Sequence, residues 1–389
     1  MEAKVIRFTV QKNARLDIAL AHKVKAQLSR AEVQRAIAGG QVRVNKQVVR
    51  KKSFVVPAGA EVTLHYQPPR FAIRHDVPVK VMHEDENFLV VDKPAGVVVH
   101  TNPRQDKTSI AAVVAGLQPA VLQVGDSFRP GIVHRLDADT SGLLLIAKNK
   151  KSYEYFKQLF KNRQIEKWYT ALVHRRLTSA HGVFSEPIGR KPGQKKFSVG
   201  LGRAAKTEYW VEAYYKFAAY PALDLDHPGS SKRGRAERSE VPYRPPWRTG
   251  AGVDPAPDED RRVVSSGGQS PGTIDIQTGT IIPDNFYSSK RPGNPRRGDG
   301  VDTFTLAKIQ LHTGRTHQVR VHFAHAGFPL AGDRLYGGEY RRADRDLFPR
   351  QFLHATRLKF LDLAGRQREF VSPLAKELQD ILNKGTTVF

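Results

Sequence analysis

Cysteine is absent from this chain of 389 residues. Its absence removes disulfides, thiolate metal sites, iron–sulfur clusters and cysteine nucleophiles, so any chemistry has to come from carboxylate, histidine, hydroxyl, lysine or arginine. Long apolar runs are missing as well. No stretch reaches the roughly 18 residues that a membrane-spanning helix needs, so no membrane partner is expected. Met1 to Val10 lacks the basic start, apolar block and small-residue cleavage site of a secretory leader, and the expectation is a cytoplasmic protein. The glycine pairs Gly39-Gly40 and Gly337-Gly338 lack a phosphate-loop lysine and the dinucleotide fingerprint, so they read as turns and no nucleotide cofactor is expected. Acidic side chains are scarce, with 38 Asp and Glu against 63 Lys and Arg, a formal net charge of +25. A surface of that sign attracts polyanions, which makes nucleic acid the leading partner. The length exceeds what one core usually fills and points to two domains plus extra material, with a monomer as the default.

The first segment is patterned. Ser29 is placed to cap a helix that Glu32 reinforces, Val33, Ala36 and Ile37 form its apolar stripe, and Gly39 or Gly40 ends it. A hairpin follows, with Val42 and Val44 alternating with polar residues, Asn45-Lys46 at the turn and Val48-Val49 returning, and Val62, Leu64 and Tyr66 continue the strand pattern. Arg30, Arg35, Arg43, Lys46, Arg50, Lys51 and Lys52 are then expected on one small surface, either a merely solvated basic face or an RNA-binding one.

The prolines of Gln67-Pro68-Pro69-Arg70 read as a linker, over 67–76, between a small domain, 1–66, and a larger one, 77–389. Within the larger one, apolar strands such as Phe88–Val91 and Leu143–Ile146 alternate with helical stretches such as Tyr153 to Phe160, which predicts an α+β fold. From Pro221 to Gly300 about a quarter of the residues are Pro or Gly and core-forming pattern is lost, which predicts a flexible insertion.

Two clusters carry chemistry. The first is Gly131-Ile132-Val133-His134-Arg135-Leu136-Asp137-Ala138-Asp139-Thr140-Ser141-Gly142, a polar loop anchored by the buried strand after it. Asp137, Thr140 and Ser141 would suit catalysis or would simply satisfy turn backbone groups. In the second, Gln318, Arg320 and His322 alternate with Val319, Val321 and Phe323 just after Arg315, His317 and their neighbours. That alternation predicts a strand with one polar face.

These motifs together resemble the RluA family of RNA pseudouridine synthases. The resemblance is carried by Asp92-Lys93-Pro94-Ala95-Gly96, His134-Arg135-Leu136-Asp137 with Thr140-Ser141-Gly142, Lys167-Trp168-Tyr169, Thr313-Gly314-Arg315-Thr316-His317-Gln318-Val319-Arg320, Gly332-Asp333 with Leu335-Tyr336-Gly337, and Leu353-His354-Ala355. The N-terminal pattern resembles the small RNA-binding domain of ribosomal small-subunit protein four. The resemblance implies a mixed, mainly antiparallel catalytic sheet with flanking helices and isomerisation of uridine in RNA without a cofactor or metal. Large-subunit ribosomal RNA is favoured over transfer RNA. It assigns Asp137 as the catalytic carboxylate, Tyr169 as an aromatic that packs on the target base and assists proton removal, and Arg315 as the cation that pairs with the carboxylate. Arg135 displaces the uridine from its stack, His134, Gln318 and Arg320 contact the RNA substrate, and Arg30, Arg35, Arg43 and Lys46 grip RNA from the N-terminal domain. The long insertion departs from the family pattern.

On this reading Asp137 acts either as a nucleophile at the sugar or as a base beside its anomeric carbon. Two rivals stay open at this level. One is a metal-dependent nuclease with His134, Asp137, Asp139, His317 and His322 as ligands. The other is an inactive RNA-binding or ribosome-assembly factor that keeps the fold.

Overall fold

The computed structural model describes residues 4–24, 28, 30–66, 77–100, 108–126, 129–194, 196–218, 220 and 303–388. The expected cap at Ser29, the linker at 67–76 and the insertion at 221–300 lie outside the described residues. The chain forms two compact units: the first is built from residues up to Val91, Val97–Arg135 and Leu144–Phe160, the second from Asp92–Gly96, Leu136–Leu143 and the chain from Lys161 onward.

In the first unit, strands Lys4–Thr9 and Glu61–Tyr66 pair antiparallel, and Val42–Val44 lies on the other side of Glu61–Tyr66. Alternation does the sorting, since Val62, Leu64 and Tyr66 turn inward while their neighbours stay outside. Helices Leu16–Lys23 and Arg30–Ala38 cover this sheet, burying Leu16, Leu20, Val33 and Ile37 in one cluster with Val42, Val62 and Leu64. The hairpin turn is as expected: Asn45 and Lys46 both take positive φ (47° and 70°), the geometry a two-residue turn between twisted strands requires. The same unit holds strand Lys80–Glu84, the first part of Phe88–Lys93, and the helices Ile110–Leu117 and Lys150–Lys161 up to Phe160. Ser109 caps the former helix by accepting the Ala112 N–H at 3.3 Å.

The second unit is an antiparallel sheet in the order His181–Phe184, Thr207–Lys216, Thr303–Leu311, Glu166–His174, Leu353–Leu361, with Gln367–Val371 on the last and Thr386–Val388 on Thr207–Lys216. Helix Lys376–Leu382 seals an aromatic core of Phe217, Phe304, Phe348 and Phe352 with Leu378 and Ile381. One pairing is parallel: Ser141 and Gly142 lie opposite His354 and Ala355. Mixed pairing and flanking helices make the fold α+β, as the sequence pattern implied.

One element differs from expectation. Gln318–His325 is an α-helix, not a strand, and Gln318 through Phe323 are all buried. The two-residue alternation had no outer face to report on, because protein surrounds the segment.

Gly142 has φ 110°, and a β-carbon there would collide with the Ala355 backbone. Gly142→Ala is expected to cost about 1–3 kcal/mol from the forced contact alone, with backbone strain added to it, measured by urea denaturation against wild type.

Candidate active site

The strand Glu166–His174 places Tyr169 opposite Ala355, and from the other side the parallel pairing sets Gly142 against that same residue. The register of Glu166–His174 with Leu353–Leu361 shifts between Trp168 and Tyr169, an irregularity of the kind that re-aims side chains at functional sites. Residues 137–141 are thereby anchored beside Tyr169, and several side chains hold them. The Lys93 ammonium donates to the Ala138 and Pro94 carbonyls at 2.7 and 2.8 Å, while the Gly96 N–H also reaches the Ala138 carbonyl at 2.9 Å. Arg350 donates to the Asp139 carbonyl at 2.9 Å and the Ser141 hydroxyl at 2.8 Å, and Gln351 donates to the Thr140 hydroxyl at 2.9 Å. Burial pulls Lys93 down to about 7, against the neighbouring charge of Asp139.

Asp137 pairs with Arg320, whose Nη1 donates to Oδ2 at 3.0 Å. Arg320 is itself gripped by Asp333, with Nε on Oδ2 at 2.7 Å and Nη2 on Oδ1 at 2.8 Å. Burial opposes the charge on Arg320, but the hydrogen bonds and charge of Asp333, with Asp137 added, raise its pKa above the ordinary arginine range. Burial likewise opposes the charge of Asp333. The Arg320 guanidinium and the N–H groups of Leu335 and Tyr336, each at 2.9 Å, outweigh it and hold that carboxyl below the usual range. His317 lies on the other side of Asp137, its Nε2 3.9 Å from Oδ1. It takes the left-handed conformation (φ 56°, ψ 25°) immediately before the helix, a strained geometry for a non-glycine residue of order 1–3 kcal/mol. Tyr169 is buried, and burial followed by the Asp137 charge raises its hydroxyl further above the ordinary range, so it is protonated at neutral pH.

Several expected roles change. Arg315 does not take the part expected of it: its Nε donates to the Ala204 carbonyl at 3.0 Å, and Arg320, five residues further on in the helix, holds the Asp137 carboxylate. The strand reading concealed this because it placed Arg320 on an RNA-facing surface. Gln318, expected at the RNA, is buried with its amide occupied at both ends. Its oxygen accepts from the Thr313 hydroxyl and the Arg315 N–H, and its nitrogen donates to the Lys206 carbonyl and the Thr207 hydroxyl, all between 2.7 and 3.0 Å. It is a pin for the turn. His134 accepts the Leu145 N–H at 2.8 Å and stacks on Phe160, so it braces its loop, whereas Arg135 is exposed. His322 spends its ring nitrogens on the Thr207 hydroxyl and the Glu186 carbonyl, which removes it from the ligand set of the nuclease reading. In the N-terminal region Arg43, Lys46 and Arg50 are exposed, and so is Arg30, 4.0 Å from Asp17. Arg35, by contrast, donates to Asp126 at 3.1 Å and is committed to that carboxylate. Asp333 and Tyr336 had no assigned role in the sequence, and His317 had one only as a metal ligand of the nuclease reading. The Asp333-to-Tyr336 spacing, an aspartate followed two and three residues later by the N–H groups it accepts, is the signal that marks Asp333 as a turn anchor.

Residues 87–325 match the RNA pseudouridylate synthase family, and residues 14–62 match the S4 domain. The chain belongs to the RNA pseudouridylate synthase family, whose members are isomerases. An uncharacterized RNA pseudouridine synthase of Chloroflexus aurantiacus is 31% identical, covering 92% of this chain and 85% of its own. The ribosomal large subunit pseudouridine synthase D of Pseudomonas aeruginosa is 28% identical over 91% of this chain and 87% of its own, and that of Buchnera aphidicola is 27% identical over 95% and 94%. Among solved structures, human RNA pseudouridylate synthase domain containing 1 shares the fold, with a TM-score of 0.50 and 19% identity over 81% of this chain and 91% of its own.

Removing the charge of Asp333 leaves Arg320 buried with half its partners gone. Asp333→Asn is expected to lose about 3–5 kcal/mol of stability at pH 7. Because the folded-state pKa of Asp333 is depressed, its contribution is full above the unfolded value of about 3.9 and is lost as pH falls further, so wild type and variant converge in acid. Urea denaturation at pH 7 and below pH 3.9 checks both the size and the sign.

Proposed function

We propose that this chain converts chosen uridines of large-subunit ribosomal RNA to pseudouridine, with Asp137 acting at the sugar. The observation that carries the reading is the carboxylate itself, fixed through one oxygen by a buried arginine and set beside the protonated, buried Tyr169. Such preorganisation suits a reaction that breaks a carbon–nitrogen bond, turns the base and forms a carbon–carbon bond to the same sugar. Tyr169 then serves as a wall for the base. Arg135, exposed two residues before Asp137, takes the place of the flipped uridine in its stack, at a cost of roughly a few kcal/mol for unstacking.

The substrate preference is supported by the names of the relatives and by the basic S4 region. Arg43, Lys46 and Arg50 are its RNA contacts, with residues 1–66 as the gripping module and 77–389 as the catalytic one. Arg315 finds a second role. Burial and the charges of Arg163 and Arg315 push Lys167 down to about 8, and burial with Arg203 and Arg163 lowers Arg315, so four cations crowd together. Cations held this close to one another suit an RNA phosphate. On this reading the enzyme works as a monomer in the cytoplasm.

Unmodified large-subunit ribosomal and transfer RNA transcripts, incubated with wild type and Asp137→Asn and mapped by carbodiimide-based sequencing, test this. New marks in ribosomal RNA confined to wild type are expected. Marks only in transfer RNA would overturn the substrate, and marks with both proteins would overturn the role of Asp137. The combined Arg43→Ala, Lys46→Ala and Arg50→Ala variant is expected to flatten the dependence of log affinity on log salt by about 2, at about 0.7 per phosphate contact to single-stranded RNA. An unchanged slope in filter binding would remove these residues from the RNA interface.

A further inference from the structure

Strand Glu166–His174 has two faces. Tyr169 and Ala171 are buried on one, whereas Trp168 lies on the other, and the neighbouring strands repeat the alternation, with Ile309 and Tyr209 buried and Lys308 and Trp210 half-buried. Register brings the outer side chains together. Lys308 stands opposite Trp210, Trp210 opposite His181, and Trp168 opposite Gln310. The rings then meet: the Trp168 and Trp210 centroids are 5.1 Å apart, His181 stacks on Trp210 at 5.0 Å and 26°, and the Lys308 ammonium sits 4.9 Å from the Trp168 ring centroid. His181, the last ring of the row, is exposed, and so is Val183 beyond it. Glu208, opposite Val183, has Nε2 of His181 2.8 Å from one oxygen and Nε2 of His312 2.8 Å from the other.

Cross-strand aromatic pairs steady a sheet wherever they occur, and what sets this row apart is the edge it stands on. Thr207 pairs with Leu311 and Trp168 with Gln310, so the chain before Thr207, the chain after Leu311 and the chain before Trp168 all leave the sheet on one side. Arg203, Arg315, Arg163 and Lys167 lie on those three stretches, close enough to feel one another's charge, and Arg163 and Arg203 are exposed. That edge is one to three residues from the rings, at most roughly 10 Å at about 3.4 Å per residue. We propose that the row of rings is a stacking platform for an unpaired stretch of the substrate RNA, whose bases extend the stack at His181 while Arg163, Arg203 and Arg315 take the adjoining phosphates. The proposal rests on the reading of the chain as an enzyme acting on RNA. Tyr169 follows Trp168 directly, so RNA whose target base lies at Tyr169 has its flank led round the sheet edge by the cations and onto the opposite face. Aromatic faces accept any base, and cations beside them track a backbone, which is the pairing of features that single-stranded nucleic acid calls for.

Tryptophan emission reads the platform directly. The chain has three tryptophans, and Trp247→Phe, outside the described residues, leaves Trp168 and Trp210 as the two that emit. Titrating the full chain carrying Trp247→Phe with an unstructured RNA of about 12 nucleotides, A and C only, is expected to quench that emission over the same concentrations at which anisotropy of the labelled RNA reports binding. Trp210→Leu keeps apolar cover but removes the ring, and it is expected to weaken affinity about 10-fold without changing the slope of log affinity against log salt, because stacking releases no counterions. Arg163→Ala with Arg203→Ala is expected instead to flatten that slope by about 1.4, at about 0.7 per phosphate contact. His181→Ala, at an exposed position of an edge strand, is expected to weaken binding by a smaller factor, and it stands in for Trp210→Leu should that variant fail to fold. Absent quenching, or affinity unchanged in the ring variants, would overturn the platform. So would a blue shift on concentrating the protein without RNA, which would mean that a second copy covers the face. A probe without uridine cannot be a substrate, so absent quenching with ribosomal RNA still marked overturns the platform alone, and quenching without any mark overturns the proposed activity alone.

Discussion

The bidentate pairing of Arg320 with Asp333 is the contact on which the rest of the site depends. A guanidinium this deeply enclosed is costly unless its donors are matched, and a planar fork against a carboxylate is the geometry that matches them. Two of the three guanidinium nitrogens are spent on Asp333, which leaves Nη1 directed at Asp137 and little freedom for it to point elsewhere. Asp333 does more than balance charge. By accepting the N–H groups of Leu335 and Tyr336 it shapes the turn that carries the Tyr336 ring, over which the Arg320 guanidinium sits at 5.2 Å. The Tyr336 hydroxyl in turn lies 3.0 Å from Nδ1 of His317 and steadies that ring. One buried carboxylate thus orients the groups that face both oxygens of Asp137.

Asp137 is met from its own chain side by a different kind of support. Lys93, Arg350 and Gln351 bind the carbonyls and hydroxyls of residues 138–141, so the backbone on which Asp137 rides is tied down while its side chain is left to Arg320 and His317. His354 completes this frame with Nδ1 at 2.8 Å from the Ser141 hydroxyl and is held to about 4 by burial, a neutral strut. The division is physically sensible. Fixing a reactive carboxylate through its own oxygens alone would consume the lone pairs that the chemistry needs, whereas fixing its backbone does not.

Much of this was legible in the residues. The apolar run after Gly142, the Asn45-Lys46 turn, the helix ended by Gly40 and the cluster around Asp137 each carry a local signal, because turns, caps and buried strands are written over a few adjacent positions. The ion partner of Asp137 was not legible, since 183 positions separate it from Arg320 and both Arg315 and Arg320 fit a cation paired with a carboxylate. Gln318 and His134 were misplaced for a related reason. A polar side chain in a functional motif looks the same in sequence whether it faces RNA or completes the hydrogen bonds of a buried turn, and only the count of its partners separates the two.

The exchange of strand for helix over Gln318–His325 bears directly on the chemistry. In a strand, residues an odd number apart point to opposite faces, so His317 and Arg320 would be split between the two sides of a sheet. On a helix, residues three apart are neighbours on one face. His317 starts the turn, its carbonyl accepting the Val321 N–H at 2.9 Å, and Arg320 lies within that same first turn. A single helical turn can therefore present a ring nitrogen to one oxygen of Asp137 and a guanidinium to the other. The spacing that misled a reading by alternation is the spacing that a two-sided grip on one carboxylate requires.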